Sequence, residues 1–297
     1  MKVHPGILQR LIVPLDGSPT AEAVLSEASR FLRRSDSEIV LVRAEFPMVA
    51  ATYPGVMIAD SFGEARAYLE RIAGKLEEQG LRVQIVAETG PAVEVILRAV
   101  SEKRGSLIAM STHGRTGAVR AVMGSVAEQV LRRSPVPVLA VRTLLSSAGG
   151  PLPPDERQPL RNVLLPLDRS ERSLRALAPA TDLCRLFGAR LMLLHVLDSD
   201  EDQTTSEAYF QAVETRAGSQ GVAVTSLMET GPVADEILDV ARFHDADLIA
   251  MATHGRRGLS RLVLGSVAEE VLRKSFVPVL AVRSAASPAL EEREGVA

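Results

Sequence analysis

The sequence contains no tryptophan, one cysteine, three tyrosines and seven phenylalanines in 297 residues. Aromatic residues amount to 3%, too few for the stacking platforms on which single-stranded nucleic acids are held. The lone cysteine, Cys184, excludes an intrachain disulfide and a multi-cysteine metal site. It lies between Leu183 and Leu186 on an apolar helix face, which reads as burial rather than reactivity. There is no surplus of positive charge. Lys and Arg number 34 against 37 Asp and Glu, for a formal net charge of −3, so no electrostatic footprint for nucleic acid is present. No apolar run approaches the ~20 residues that cross a bilayer. Met1 to Arg10 holds no apolar stretch of signal-peptide length. These absences lead to the expectation of a cytoplasmic protein with neither nucleic-acid nor membrane partners. What is there is ordinary for packed cores: 46% hydrophobic and 24% charged residues. The length suits roughly two domains of ~150 residues each.

A repeat organises the chain. Ser106 to Arg142 aligns without a gap with Asp247 to Arg283, with 27 of 37 positions identical, far beyond what a shared helix pattern produces. Glu88-Thr89-Gly90-Pro91 matches Glu229-Thr230-Gly231-Pro232 at the same shift of 141. Near the start, Val13-Pro14-Leu15-Asp16 matches Leu165-Pro166-Leu167-Asp168 at a shift of 152. Copy one therefore carries about eleven more residues, most readily accommodated in a loop from Phe46 to Ser61. Met48, Val49, Tyr53, Met57 and Ile58 make that loop apolar, as a lid or a partner surface would be. The expected organisation is a first domain over 1–145, a Gly/Pro/Ser-rich linker over 146–159, a second domain over 160–284 and a polar tail over 285–297.

Each copy alternates short apolar runs with longer amphipathic ones. In copy one the runs are Leu11 to Leu15, Ile39 to Val42, Val83 to Ala87, Leu107 to Met110 and Val136 to Val141, which fit strands buried on both faces. Ala21 to Arg33 shows helical spacing, with Ser18 and Pro19 as its start signal. Val93 to Lys103 and Val126 to Arg133 read as further helices. The fold class expected is α/β: two tandem Rossmann-like, doubly wound domains, each a five-stranded, mainly parallel sheet flanked by helices. Ligands of such sheets sit at the carboxyl ends of the strands.

Three segments fall there. Asp16 follows the first strand, with Gly17 and Ser18. The loop Ser111-Thr112-His113-Gly114-Arg115-Thr116-Gly117 follows the fourth strand. Gly124-Ser125-Val126 opens the last helix. Gly114 and Gly124 lack a Cβ, which permits close approach of a ligand and a positive φ. Free N–H groups at a helix start, the helix dipole and the Ser125 hydroxyl suit a phosphate. Asp16 has two readings, a cap for the first helix or an acceptor for ribose hydroxyls or an adenine amine. Gly124-Ser125 has two as well, a turn with a helix cap or a phosphate seat. His113 and His254 either shape the loop or touch phosphate, and Arg115 and Arg256 either pair with phosphate oxygens or face solvent. Copy two repeats the set with Asp168, Gly255, Gly265, Ser266 and Val267. Neither a Walker-type phosphate loop nor a Gly-x-Gly-x-x-Gly fingerprint occurs. No protein-built metal site is expected.

Thr112-His113-Gly114-Arg115, Gly124-Ser125-Val126-Ala127-Glu128 and Pro137-Val138-Leu139-Ala140-Val141-Arg142, each answered in copy two from Thr253 to Arg283, resemble the universal stress protein family in a tandem arrangement. The resemblance covers both copies and leaves out linker and tail. It implies, for one subgroup of the family, binding of ATP or AMP (ADP included), with magnesium brought by the phosphates. That subgroup shows Gly-x-x-Gly, nine residues, then Gly-Ser/Thr. Gly114 and Gly255 match its second glycine; Gly124-Ser125 and Gly265-Ser266 match its end. Its first glycine is replaced by Ser111 and Ala252. Its strand-one proline and aspartate are matched by Pro14 and Asp16, and by Pro166 and Asp168. The valine that meets adenine is matched by Val196, after His195; copy one has Ala44 there, after Arg43. Copy two carries Arg169 where copy one has Gly17. The resemblance also implies edge pairing through Pro137 to Val141 and Pro278 to Val282, giving an internal pseudo-dimer, with a homodimer of chains and an unidentified regulatory partner beyond it. The expected function is an ATP/AMP-binding stress-response regulator, more a binding protein than an enzyme, with at most weak ATP hydrolysis. A nucleotide-free interaction scaffold, a slow ATPase and a nucleotidyl transferase are the alternatives.

Overall fold

Copy one runs β1 (Arg10–Pro14), α1 (Pro19–Glu22), α2 (Val24–Leu32), β2 (Glu38–Glu45), α3 (Ser61–Glu77), β3 (Arg82–Thr89), α4 (Ala92–Ser101), β4 (Ser106–Ser111), α5 (Ser125–Arg133) and β5 (Val138–Val141). Copy two repeats the order with β6 (Asn162–Pro166), α6 (Glu171–Leu174), α7 (Leu177–Phe187), β7 (Arg190–Leu197), α8 (Gln203–Gly218), β8 (Val224–Thr230), α9 (Val233–Phe243), β9 (Leu248–Ala252), α10 (Ser266–Lys274) and β10 (Val279–Val282). This is a computed structural model, and it describes residues 8–32, 37–45, 61–101, 106–112, 123–141, 160–197, 203–253 and 264–283. The linker, the tail and nearly all of the extra loop of copy one lie outside these residues.

The strands form one ten-stranded sheet in the order β3-β2-β1-β4-β5-β10-β9-β6-β7-β8. Within each copy all pairings are parallel. The strand order reverses between β1 and β4, and again between β6 and β9. Those are the points where a doubly wound sheet opens a crevice at its carboxyl edge. Period-two alternation sends side chains to two cores. Leu11, Val13 and Leu41 pack with Phe31, Leu69 and Ile72 of α2 and α3. Ile12, Val40 and Val42 pack with Ile96 of α4 and Val130 of α5. Copy two divides in the same way.

Two expectations need correction. The single first helix from Ala21 to Arg33 is two helices that break at Ala23, whose N–H bonds back to Pro19 and Ala21 as a helix end. The run Val83 to Ala87 is not buried on both faces. β3 and its counterpart β8 are the outer edges of the sheet, and most of their residues are partly exposed.

The copies meet where β5 and β10 pair antiparallel, with Leu139 opposite Leu280. Both leucines are fully buried. The pairing consumes one edge of each copy, which leaves no apolar edge exposed at the centre. Arg283, just after β10, donates from Nη1 to the carbonyl oxygens of Arg132 and Arg133 at 3.4 and 3.1 Å. A cation of one copy thus meets the carbonyl end of the other copy's last helix, where the dipole favours it.

Candidate functional site

The first element of the site is the turn after β1. Leu15 returns its N–H to Val42 of β2 at 2.8 Å, so the chain leaves the sheet at Asp16. Oδ1 of Asp16 accepts the N–H of Ser18 at 2.9 Å, and the Ser18 hydroxyl accepts the N–H of Ala21 at 3.2 Å. Copy two does the same: Asp168 Oδ1 accepts Ser170 N–H at 3.0 Å and the Ser170 hydroxyl at 2.6 Å, and Ser170 Oγ accepts Ser173 N–H at 3.1 Å. Serine is therefore the helix cap in both copies, and the aspartate braces the turn one step earlier. The turn needs a left-handed residue after the aspartate. Gly17 supplies it at φ 83, and Arg169 holds it at φ 61, a conformation a side chain adopts only under constraint.

The second element is the start of the last helix. Gly124 and Gly265 are N-caps with φ/ψ of −63/141 and −64/145, and neither helix has a side-chain cap. The positive φ expected at Gly124 is not used, because the N-cap position calls for extended backbone. A glycine cap contributes no side-chain oxygen, so the first-turn N–H groups of Ser125 to Ala127 and Ser266 to Ala268 carry the orphan donors of a helix start. The caps are anchored identically. Gly124 donates its N–H to Thr112 O at 2.8 Å and Thr112 donates to Val141 O at 3.2 Å; Gly265 donates to Thr253 O at 2.9 Å and Thr253 to Val282 O at 2.9 Å. Thr112 and Thr253 are buried. Each helix start is thereby tied to the carboxyl ends of the fourth and fifth strands, next to the strand carrying the aspartate turn.

Sheet parity sorts the remaining residues. Pro14 pairs with Val42 and Pro166 with Leu194, on the face covered by the last helix. Ala44 and Val126 pack against the core of that same face, as do Val196 and Val267. Ser125 and Ser266 are exposed on the first turn. Ser111 pairs with Val141 and Ala252 with Val282, both on the opposite face. Ser111 and Ala252 are 8% and 9% exposed. The Cβ that each adds in place of a glycine is directed away from the last helix. Gly114, Arg115 and His113, with Gly255, Arg256 and His254, lie outside the described residues.

Behind the aspartate turn is a set of residues that motif and periodicity alone do not single out. In copy one, Arg43 bonds through Nε to Glu45 at 2.6 Å, and its guanidinium carbon stands 4.8 Å from the Tyr68 ring centroid. Tyr68 donates its hydroxyl to Glu22 at 2.9 Å. Burial, with the hydrogen bond to Glu22, pushes the Tyr68 hydroxyl well above the ordinary tyrosine range. In copy two His195 replaces the arginine; it is 2% exposed, and its ring lies 5.2 Å from that of Phe210. The available signal was the position itself, one residue before Ala44 and Val196 and hence on the other face of the strand. Cys184 is buried as expected, and burial pushes its thiol up to about 12. Among the described residues no group of His, Cys, Asp or Glu could hold a metal ion, and no helix is long and apolar enough to cross a membrane.

Comparison with known proteins bears on the family and the fold. The family model of the universal stress protein family matches residues 8–142 and 159–283. A universal stress protein of Mycolicibacterium smegmatis is 27% identical over 297 residues, covering 92% of this chain and 96% of its own. One from Methanocaldococcus jannaschii is 31% identical over 139 residues, covering 41% of this chain and 82% of its own. Among solved structures, a universal stress protein from Archaeoglobus fulgidus superposes with a TM-score of 0.74 at 25% identity, covering 93% of this chain and 99% of that one. With the family model matched once in each half and a tandem relative aligned end to end, the chain belongs to the universal stress protein family as a two-domain member.

Proposed function

We propose that each copy binds an adenine nucleotide at the carboxyl edge of its sheet, and that the protein regulates a stress response through nucleotide-dependent conformation or assembly. The observation that carries this reading is the glycine-capped, side-chain-free start of α5 and α10, anchored the same way in both copies. Such a start offers N–H donors and a positive dipole end to a polyanion. In this reading the N–H groups following Gly124 and Gly265, with the hydroxyls of Ser125 and Ser266, hold phosphate oxygens. Asp16 and Asp168 accept from ribose hydroxyls or the adenine amine. Pro14, Ala44 and Val126, and Pro166, Val196 and Val267, form the apolar wall. Gly114 and Arg115, with Gly255 and Arg256, come from the intervening loop. Magnesium arrives with the phosphates. Ser111 and Ala252 do not argue for a lost site, since their side chains point to the far face.

A nucleotide regulates only through unequal affinity for two states of the protein. Assembly of two chains into a homodimer would use a surface other than β5 and β10, whose edges are already paired within the chain. Cytoplasmic residence completes the proposal. The test is titration of the purified chain with ATP, AMP and ADP, together with the nucleotide content of protein isolated without added ligand. Micromolar binding supports the reading. Absence of any affinity turns it to an interaction scaffold, and steady multiple turnover turns it to an enzyme.

A further inference from the structure

Two of the differences between the copies lie against each other. Position 17 is glycine and its counterpart is Arg169; position 43 is arginine and its counterpart is His195. A Cβ on Gly17 would lie 3.0 Å from Nη1 of Arg43. Arg43 is held there by Glu45 and by the Tyr68 ring. A side chain at 17 therefore requires the guanidinium to give by a few tenths of an ångström against the contacts that hold it. Copy two removes this tight contact by placing histidine behind the turn. His195 Nδ1 lies 3.0 Å from the carbonyl oxygen of Leu167. A carbonyl can only accept, so this bond requires the proton on Nδ1. The N–H of Leu167 meanwhile donates to Leu194 O at 2.8 Å. Both polar backbone groups of the residue before Asp168 are thus tied to the end of β7.

We propose that residue 43 in copy one and residue 195 in copy two is the positioning residue of the carboxylate turn, acting from the sheet face opposite the ligand, and that its identity decides which residue can stand after the aspartate. Arginine behind the turn requires glycine at 17. Histidine behind the turn permits Arg169, so that copy two carries its guanidinium on the turn itself, where copy one carries it on the strand behind the turn. The proposal rests on the adenine-nucleotide reading for its readout.

The experiment uses the full chain with copy one closed by Gly124→Asp, so that ATP titration reads copy two. His195→Phe keeps the ring and removes the donor, and ATP affinity is expected to fall about tenfold, the scale of one lost hydrogen bond. His195→Gln, which restores an N–H donor, is expected to recover most of the loss. In the unliganded wild type, ring 15N shifts of His195 are expected to show the proton on Nδ1. A folded His195→Phe with undiminished ATP affinity overturns the proposal, as does a proton resident on Nε2 alone. Wild-type protein that binds no ATP at either copy removes the nucleotide reading itself, a separate result. Should His195→Phe not fold, copy one gives the same answer with Gly265→Asp closing copy two. Gly17→Arg is expected to weaken ATP binding, and adding Arg43→His is expected to restore it. Losses that simply add overturn the coupling.

Discussion

The two copies agree on one face of the sheet and part on the other. On the α4/α5 and α9/α10 face the glycine caps superpose within a few degrees of φ and ψ, and each hangs on the carbonyl of a buried threonine. On the α2/α3 and α7/α8 face, copy one builds a polar brace from Arg43, Glu45, Tyr68 and Glu22. Copy two has His195 beside Phe210, with Tyr209 kept at the position of Tyr68 and Leu174 and Leu197 at the positions of Glu22 and Glu45. A helix start that must offer unblocked N–H groups tolerates few sequences. A brace behind a turn has only to hold a backbone still, which a hydrogen bond, a guanidinium or an aromatic contact can each do. If the proposed nucleotide reading holds, the shared half of the comparison is where a ligand would constrain the residues, and the divergent half is where only the geometry of the turn does.

The largest effect should come from breaking what the copies share. Gly124→Asp or Gly265→Asp introduces a side chain and a negative charge at the proposed phosphate seat. Each is expected to weaken nucleotide binding at its own copy by on the order of a hundredfold or more, about 2.7 kcal/mol. Calorimetric titration should show one site lost in each single variant and both lost in the double. Full stoichiometry in the double variant would remove the assignment of both seats.

Next is the junction that makes the comparison internal to one sheet. Leu280 is fully buried opposite Leu139. Leu280→Ala is expected to cost about 2–5 kcal/mol, read from urea unfolding. Because β10 belongs to both halves of the core, the loss should appear in one cooperative transition rather than in a separate unfolding of copy two.

A smaller effect isolates the brace of copy one. Tyr68→Phe removes the hydrogen bond to Glu22 and is expected to cost about 1 kcal/mol. The sign of its pH dependence follows from the raised hydroxyl. The folded protein keeps Tyr68 neutral where an unfolded chain would ionise it. That contribution is complete below the ordinary tyrosine range near 10 and is lost as pH climbs through it toward the folded value. Wild-type stability should thus fall on the alkaline side more steeply than that of Tyr68→Phe. Parallel alkaline limbs for the two proteins would contradict the assignment.

Much of this was legible in the sequence. The duplicated run of 37 residues and the short apolar runs between helical stretches give two doubly wound domains, and the carboxyl-edge rule locates Asp16, Gly124 and their counterparts. What was not legible has physical causes. Asp16 and Ser18 are both good cap residues, and only the observed bonds assign the cap to serine and the brace to aspartate. The break at Ala23 leaves helical periodicity intact on both sides. The stripe Ala65, Leu69, Ile72 and Leu76 of α3 is helical in spacing but diluted by charged neighbours. β2 runs on through Arg43, Ala44 and Glu45 beyond its apolar stretch, because its ladder with β3 continues to Thr89, and the two charges pair with each other there. The orientation of Ser111 was within reach: strand parity from Met110 alone puts it on the far face.

The smallest expected effect tests whether surface differences between the copies matter at all. Arg98 of α4 reaches Glu88 of β3 at 2.8 Å, with side chains 55% and 43% exposed. Copy two has Asp239 and Glu229 at these positions, so an attractive pair in one copy is replaced by two like charges in the other. An exposed pair of this kind gains little Coulomb energy in water and gives up side-chain freedom to form. Arg98→Asp, which makes copy one resemble copy two here, is expected to change stability by less than about 1 kcal/mol. The change should shrink further as salt is raised from about 0.05 to about 0.5 M, and nucleotide affinity should not move. A larger loss that persists at high salt would mean that α4 is fixed to the edge strand by this pair rather than by Val93, Val95 and Ile96 beneath it. The contrast between the copies would then extend from the back of the turn to the outer edge of the sheet.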